Sequence, residues 1–204
     1  MIAIIDYGVG NLFSLVSSFE AVGASVTVTR DRAVIESADK IVLPGVGAFE
    51  DARRKLRESG LEQVVRDQVA SGKKLLGICL GMQMLFERSY EYGEHEGLGF
   101  LKGSVVAMDG TLPEGLKIPH IGWNELKVCA THPIFKYTQD GDFVYFVHSY
   151  YAIGCDESLL ATTEYGKDIT AAVAYKNITG MQFHPEKSGE AGLSILRAFV
   201  EWSD

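Results

Sequence analysis

Cys79 stands at the centre of Gly77-Ile78-Cys79-Leu80-Gly81, between an apolar run and a segment of helical composition. Glycines two residues to either side let the chain turn abruptly and thrust the central side chain outward, the layout of a nucleophile elbow. At a helix start the thiol would also meet the positive end of the backbone dipole, which favours the thiolate. A buried, inert thiol is the ordinary fate of a free cysteine, and Cys129 and Cys155, which lack such flanks, keep that reading. A thiolate nucleophile needs an imidazole to hold a proton and pass it to the leaving group, and the imidazole needs an orienting partner. Of the five histidines, His184 alone has a carboxylate two residues on, in Phe183-His184-Pro185-Glu186. Extended backbone puts residues two apart on one side, so Glu186 is expected to fix the ring tautomer of His184.

Two glycine-rich loops raise a nucleotide reading, and neither fits it. Gly8-Val9-Gly10-Asn11-Leu12-Phe13 has Phe where a dinucleotide fingerprint needs its third glycine, and Pro44-Gly45-Val46-Gly47 lacks the Lys-Ser/Thr of a phosphate loop. The first reads as a tight strand-to-helix turn. The second follows a buried run and can present backbone N–H groups to a developing negative charge.

Strands must end at these groups to position them. Residues 2–5 form a continuous apolar run, as in a strand covered on both faces. Asn11 then occupies a helix-cap position, Leu12, Leu15, Val16, Phe19 and Val22 keep helical spacing, and Gly23 supplies the stop. Residues 25–29 and 40–43 read as strands, 49–58 and 61–70 as amphipathic helices, 74–78 as a strand running into Cys79, and 80–88 as the next helix. Beyond about residue 98, short alternating runs at 103–108, 143–148, 159–164, 171–175 and 181–184 predict antiparallel or mixed additions to the sheet. Residues 177–180 read as a turn between the last two, and 192–202 as a closing helix. The order predicts one three-layer α/β domain over residues 1–204, with its site at the carboxyl ends of the strands.

Composition narrows the partners. Nineteen Lys plus Arg against 27 Asp plus Glu leave a net charge of −8, which repels nucleic acid and anionic membranes. Three cysteines without CxxC spacing suggest neither a disulfide framework nor a zinc site, and no metal or organic cofactor is expected. The apolar start is broken by Asp6 and has no basic flank, so no signal peptide is read there and a cytoplasmic location is expected. The most apolar long stretch, 75–86, falls short of the roughly 20 residues a bilayer requires.

Taken together, Pro44-Gly45-Val46-Gly47, Gly77-Ile78-Cys79-Leu80-Gly81-Met82-Gln83 and Gln182-Phe183-His184-Pro185-Glu186 resemble the class I, triad-type glutamine amidotransferases, in family order and over nearly the whole chain. Asp6-Tyr7-Gly8-Val9-Gly10-Asn11-Leu12 and Pro119-His120-Ile121-Gly122-Trp123-Asn124 narrow the likeness to those members that serve as glutaminase subunits of imidazole glycerol phosphate synthase. The resemblance implies a flavodoxin-like fold, a mostly parallel sheet with antiparallel additions in the C-terminal half. It implies attack by Cys79 on the carboxamide of glutamine, with His184 and Glu186 completing a triad and the N–H groups of Val46, Gly47 and Leu80 holding the oxyanion. Substrate binding is carried over to Gly45, Gln83, Glu87, His148, Ser149 and Tyr150. Helical i,i+4 spacing would turn Gln83 and Glu87 to one pocket, and an exposed surface carboxylate is the equal alternative for Glu87. Side-chain and main-chain roles for Ser149 and Tyr150 stay open. The family partner is a (β/α)8-barrel cyclase that takes up the ammonia in histidine biosynthesis, with Asn11, Trp123 and Lys187 at the interface. A glutaminase for another acceptor, such as pyridoxal phosphate synthesis, and a non-catalytic binding relative are the competing readings; the narrowing motifs weigh against the first and the intact triad against the second.

Overall fold

A computed structural model describes residues 1–113 and 115–203. In chain order the elements are β1 (Ile2–Ile5), α1 (Leu12–Ala21), β2 (Val26–Thr29), α2 (Arg32–Ser37), β3 (Lys40–Leu43), α3 (Phe49–Glu58), α4 (Leu61–Ala70), β4 (Lys74–Ile78) and the single turn α5 (Leu80–Gln83). There follow β5 (Phe86–Ser89), β6 (His95–Glu96), β7 (Leu101–Ala107), β8 (His120–Glu125), β9 (Lys127–Val128), β10 (Phe143–His148), β11 (Tyr150–Ile153), β12 (Leu159–Glu164), β13 (Asp168–Tyr175), β14 (Ile178–Met181) and α6 (Gly189–Glu201).

The main sheet runs β2-β1-β3-β4-β14-β13-β12-β9. Its first five strands are parallel, and β13, β12 and β9 extend it antiparallel. All four residues of β1 are buried because the strand feeds two cores: Ala3 and Ile5 face α2, α3 and α4, while Ile2 and Ile4 face α1 and α6. That alternation explains why a buried parallel strand reads as an unbroken apolar run. On the second face α1 packs on α6, with Phe19 and Phe199 rings 6.3 Å apart.

Topology places the chemistry. β3, β4 and β14 are adjacent and parallel, with Leu43 opposite Gly77 and Met181 opposite Ile78. Three segments far apart in sequence, 44–47, Cys79 and His184, therefore emerge side by side at the carboxyl edge, where α/β sheets carry their sites.

Several expectations need correction. The helix expected over 80–88 closes after Gln83, and Phe86–Ser89 pairs with β7 instead. Residues 75–86 are all buried, so apolar spacing there carries no facial signal. Residues 178–181 form β14 rather than a turn; the reversal is at Lys176 and Asn177, with Lys176 at φ 53°. The runs expected at 103–108 and 143–148 become β7 and β10 but do not join the main sheet: β10 pairs with β8, and β7 lies in a separate sheet of order β11-β7-β5-β6. Asn11 occupies the N-cap position of α1 without a side-chain cap bond. The short helix α2 has no counterpart in the expected elements; Asp31 caps it, accepting from the N–H groups of Ala33 and Val34.

Candidate active site

Cys79 adopts φ 53°, ψ −110° between β4 and α5. A non-glycine residue in such a region costs on the order of 1–3 kcal/mol and persists only where its surroundings hold it. Here its N–H donates to the Met181 carbonyl (2.7 Å) and its carbonyl accepts from Gln83 N–H (3.1 Å). Close approach of three backbones completes the elbow. A Cβ on Gly81 would lie 1.9 Å from the Leu43 carbonyl oxygen, one on Gly77 2.9 Å from the Gly81 oxygen, and one on Gly45 2.6 Å from Gly81 N.

His184 follows β14 in extended conformation, and Pro185–Lys187 forms one 3-10 turn. That turn, not a continuing strand, brings Glu186 back, so the expected contact forms through different backbone. His184 Nδ1 lies 2.8 Å from Glu186 Oε1, with the two side chains 3% and 1% exposed. Nδ1 is thereby engaged, which leaves Nε2 to face Cys79 across the cavity that both residues line. Burial alone pulls the imidazole pKa down, but hydrogen bonds and charge from Cys79 and Glu186 outweigh it and push the value up to about 9. Around His184 the backbone is clamped to β10: its N–H donates to the Tyr145 carbonyl (2.9 Å), and Ser188 Oγ donates to its carbonyl (2.6 Å) while accepting from Tyr145 N–H (2.9 Å).

A cavity of about 590 Å³ opens over Cys79, and Val46, Gly47, Leu80, Gln83, His148, Ser149, Tyr150, His184 and Lys187 line it. Gln83 is buried, and its Nε2 donates to the Tyr150 carbonyl (3.1 Å) and to Gln182 Oε1 (3.0 Å). His148 Nδ1 donates to the same carbonyl (2.8 Å), and its other nitrogen lies 3.1 Å from His120 Nδ1. Burial, with the nearby His120 and His184, pulls His148 down to about 3 against the hydrogen bond to Tyr150, so its ring is neutral. The Ser149 carbonyl is likewise engaged, by Met108 N–H (2.9 Å). Gly47 sits at φ 90°, and Tyr7 Oη anchors the preceding Pro44 carbonyl at 2.6 Å. As the first residue of α5, Leu80 has an N–H without an intrahelical acceptor, free to face the cavity.

Residues 3–202 match the family described as glutamine amidotransferase class-I. The chain belongs to the class-I glutamine amidotransferases. It is similar to the imidazole glycerol phosphate synthase subunit HisH of Sulfurimonas denitrificans, at 48% identity over 99% of this chain and 98% of that protein. The HisH protein of Aquifex aeolicus is 50% identical over 96% of this chain and 94% of its own. Among solved structures, one titled as a glutamine amidotransferase superposes with TM-score 0.75 at 20% identity, covering 97% of this chain and 98% of that one. The structure of PurLQS from Thermotoga maritima gives 0.73 at 19%, covering 98% and 96%. At that identity these structures support the amidotransferase fold alone.

Not every residue expected in the amidotransferase site lies there. Glu87 is exposed on β5 and accepts from Gly103 N–H (3.1 Å); it lines a separate cavity of about 390 Å³ with Gly99, Lys102 and Cys155. Its expected i,i+4 relation to Gln83 fails because the helix ends first. Two carboxylates do line the Cys79 cavity, Asp109 and Glu91, both absent from the sequence reading, and Glu91 is the one whose charge acts on Tyr150. Glu91 is buried, its Oε2 accepts from Phe49 N–H (2.7 Å) at the start of α3, and burial raises its pKa against that bond. No local pattern marks Glu91, since a loop and a distant helix start define its position. Of the expected partner-facing residues, Trp123 is half exposed and edge-on to Tyr145 (6.0 Å), and Lys187 lines the cavity and lies over the same ring at 5.8 Å. Asn11 begins α1, which packs on the Pro185–Lys187 turn, and Phe13 beside it is 82% exposed. Among the described residues no helix is long and apolar enough to cross a membrane.

Proposed function

We propose that this amidotransferase is a cytoplasmic glutaminase subunit that hydrolyses L-glutamine and passes ammonia to a (β/α)8-barrel cyclase, which makes imidazole glycerol phosphate and aminoimidazole carboxamide ribotide in histidine biosynthesis. The observation that supports the glutaminase reading is that Cys79 and His184 line one cavity while Glu186 engages His184 Nδ1. The choice of acceptor rests on relatives about half identical along nearly their full length.

In this mechanism the Cys79 thiolate attacks the carboxamide carbon, and the C=O electron pair moves to oxygen. Leu80 N–H and the Val46-Gly47 loop stabilise that oxyanion, each well-placed donor contributing about 3 kcal/mol. On collapse the C–N bond breaks, His184 Nε2–H supplies the proton, and ammonia leaves a γ-glutamyl thioester. Water then gives a proton to His184 and attacks the thioester; the C–S bond breaks, the thiolate–imidazolium pair is restored, and the new carboxyl group loses its proton. Glu186 holds the ring by Nδ1–H throughout and supports its charged form when it is protonated. Gln83, with Gly45 and the His148-Ser149-Tyr150 segment, shapes the pocket, and Glu91 receives the α-ammonium group of glutamine. Asn11, Trp123 and Lys187 face the cyclase, Trp123 as aromatic anchor and Lys187 as an ion-pair donor next to the triad.

The test is reconstitution. Cys79→Ala is expected to abolish glutamine hydrolysis while its complex with the cyclase still uses added ammonium. Unmutated subunit alone should turn over slowly and accelerate with cyclase and nucleotide present. Hydrolysis by Cys79→Ala contradicts the nucleophile, and equal turnover with and without cyclase contradicts the coupling.

A further inference from the structure

Gln182 lies one residue past β14, fully buried, its backbone N–H tied to the Ala171 carbonyl (2.8 Å). Its side chain bridges the substrate pocket and the nucleophile: Oε1 is 3.0 Å from Gln83 Nε2, and Nε2 is 3.8 Å from Cys79 Sγ. Proton counting fixes the direction of this chain. The Tyr150 carbonyl can only accept, so Gln83 must turn its NH2 group toward it. The second N–H of that group points to Gln182, which must then offer its oxygen to Gln83 and its NH2 to the sulfur. Neither amide can flip without facing like against like.

We propose that Gln182 donates an N–H to the Cys79 sulfur, stabilising the thiolate and aiming it, and that Gln83 sets this donor's orientation. The proposal rests on Cys79 being the nucleophile. A buried sulfur anion without a donor is costly, and the amide supplies one that carries no titratable proton. The other ionisable groups about the sulfur are His184, Tyr7 and, across the cavity, Glu91, Tyr92, Asp109, His148, Tyr150 and Lys187. His184 is the acid the reaction consumes, and the Tyr7 hydroxyl is engaged by the Pro44 carbonyl. Gln182 is thus the donor that stays on the sulfur while His184 gives its proton away.

Two substitutions in the full chain test this. Gln182→Met keeps length and removes the donor, while Gln182→Glu keeps shape and sets an acceptor against the sulfur. The readout is the pH dependence of Cys79 alkylation by iodoacetamide, followed on the peptide that bears it so that Cys129 and Cys155 do not contribute. The midpoint should rise by about half a pH unit in Gln182→Met and by about one or more in Gln182→Glu. Glutamine kcat should fall about tenfold with KM within about twofold. Profiles and kcat matching the unmutated chain overturn the proposal. Cys79→Ala separates the levels: if it hydrolyses glutamine the nucleophile is misassigned, whereas if it is inert and the Gln182 variants behave normally, only the donor role fails. Should both variants misfold, the unmutated chain decides, since the Gln182 side-chain amide resonances must titrate with Cys79, and an amide blind to that titration overturns the role.

Discussion

An imidazole as enclosed as His184 would ordinarily give up its proton below its usual 6.5, yet Cys79 and Glu186 hold it charged to about 9. Because the folded value exceeds the unfolded one, the stabilisation from this pair is complete below about 6.5 and is lost as pH rises through about 9. Catalysis shares that limb, because protonating the departing amide nitrogen requires the imidazolium. Glutamine kcat is therefore expected to fall above pH of about 9, and a rate that stays flat well beyond that value contradicts the role of His184. Replacing Glu186 with Gln removes the charge that supports the imidazolium. The alkaline limb should move to lower pH and kcat drop by about 100-fold or more, measured in the same profile. An unshifted limb would mean that Glu186 only fills space.

Two elements, β10 and the turn after β14, share the burden of holding His184, and Ser188 is the link between them. Its hydroxyl accepts from Tyr145 N–H and donates to the His184 carbonyl, so Ser188→Ala frees both groups in a buried setting. Stability should fall by about 1–3 kcal/mol in denaturant titration. Glutamine kcat should drop with KM little changed; a loss of stability without a loss of kcat would show that the clamp does not position the ring. At the neighbouring elbow Gly81→Ala forces a methyl against the Leu43 carbonyl, and a loss of about 3 kcal/mol or more is expected.

This scale also shows what the sequence discloses. Residues 40–43, 49–58, 61–70, 74–78, 143–148 and 159–164 match their elements end to end, because each has either a one-faced pattern or an unbroken apolar run between turn residues. Residues 80–88 mislead because everything from Leu75 to Phe86 is enclosed, and a wholly buried segment has no polar face to reveal its period. Short α2 escapes notice because Ile35 is the one buried residue on it, leaving no stripe to read. The proposed triad is suggested by its residue types and flanking glycines. Glu91, by contrast, is brought to the cavity by tertiary contacts that no local spacing encodes.

Across the whole molecule three histidines stand opposite in sign to His184. His120 and His148 are enclosed and His132 half-buried, and burial chiefly holds all three below 6.5, His148 to about 3, so they enter the fold neutral. Unfolding lets each take a proton in acid, and stability must decline below about pH 6.5, by at most about 1.4 kcal/mol per pH unit for each histidine. The melting temperature should therefore be clearly lower at pH 5 than at pH 7, and equal or higher stability at pH 5 would contradict their buried, neutral state.

At the same scale the proposed reaction needs one event from the fold, bringing a sulfur that follows β4 and an imidazole from beyond β14 to a shared cavity. The most direct measurement is mass spectrometry of the chain, with cyclase present, acid-quenched during glutamine turnover. The account predicts a γ-glutamyl adduct on the peptide containing Cys79 that disappears as glutamine is exhausted. Steady turnover with no adduct on Cys79, or with the adduct on Cys129 or Cys155, would contradict it.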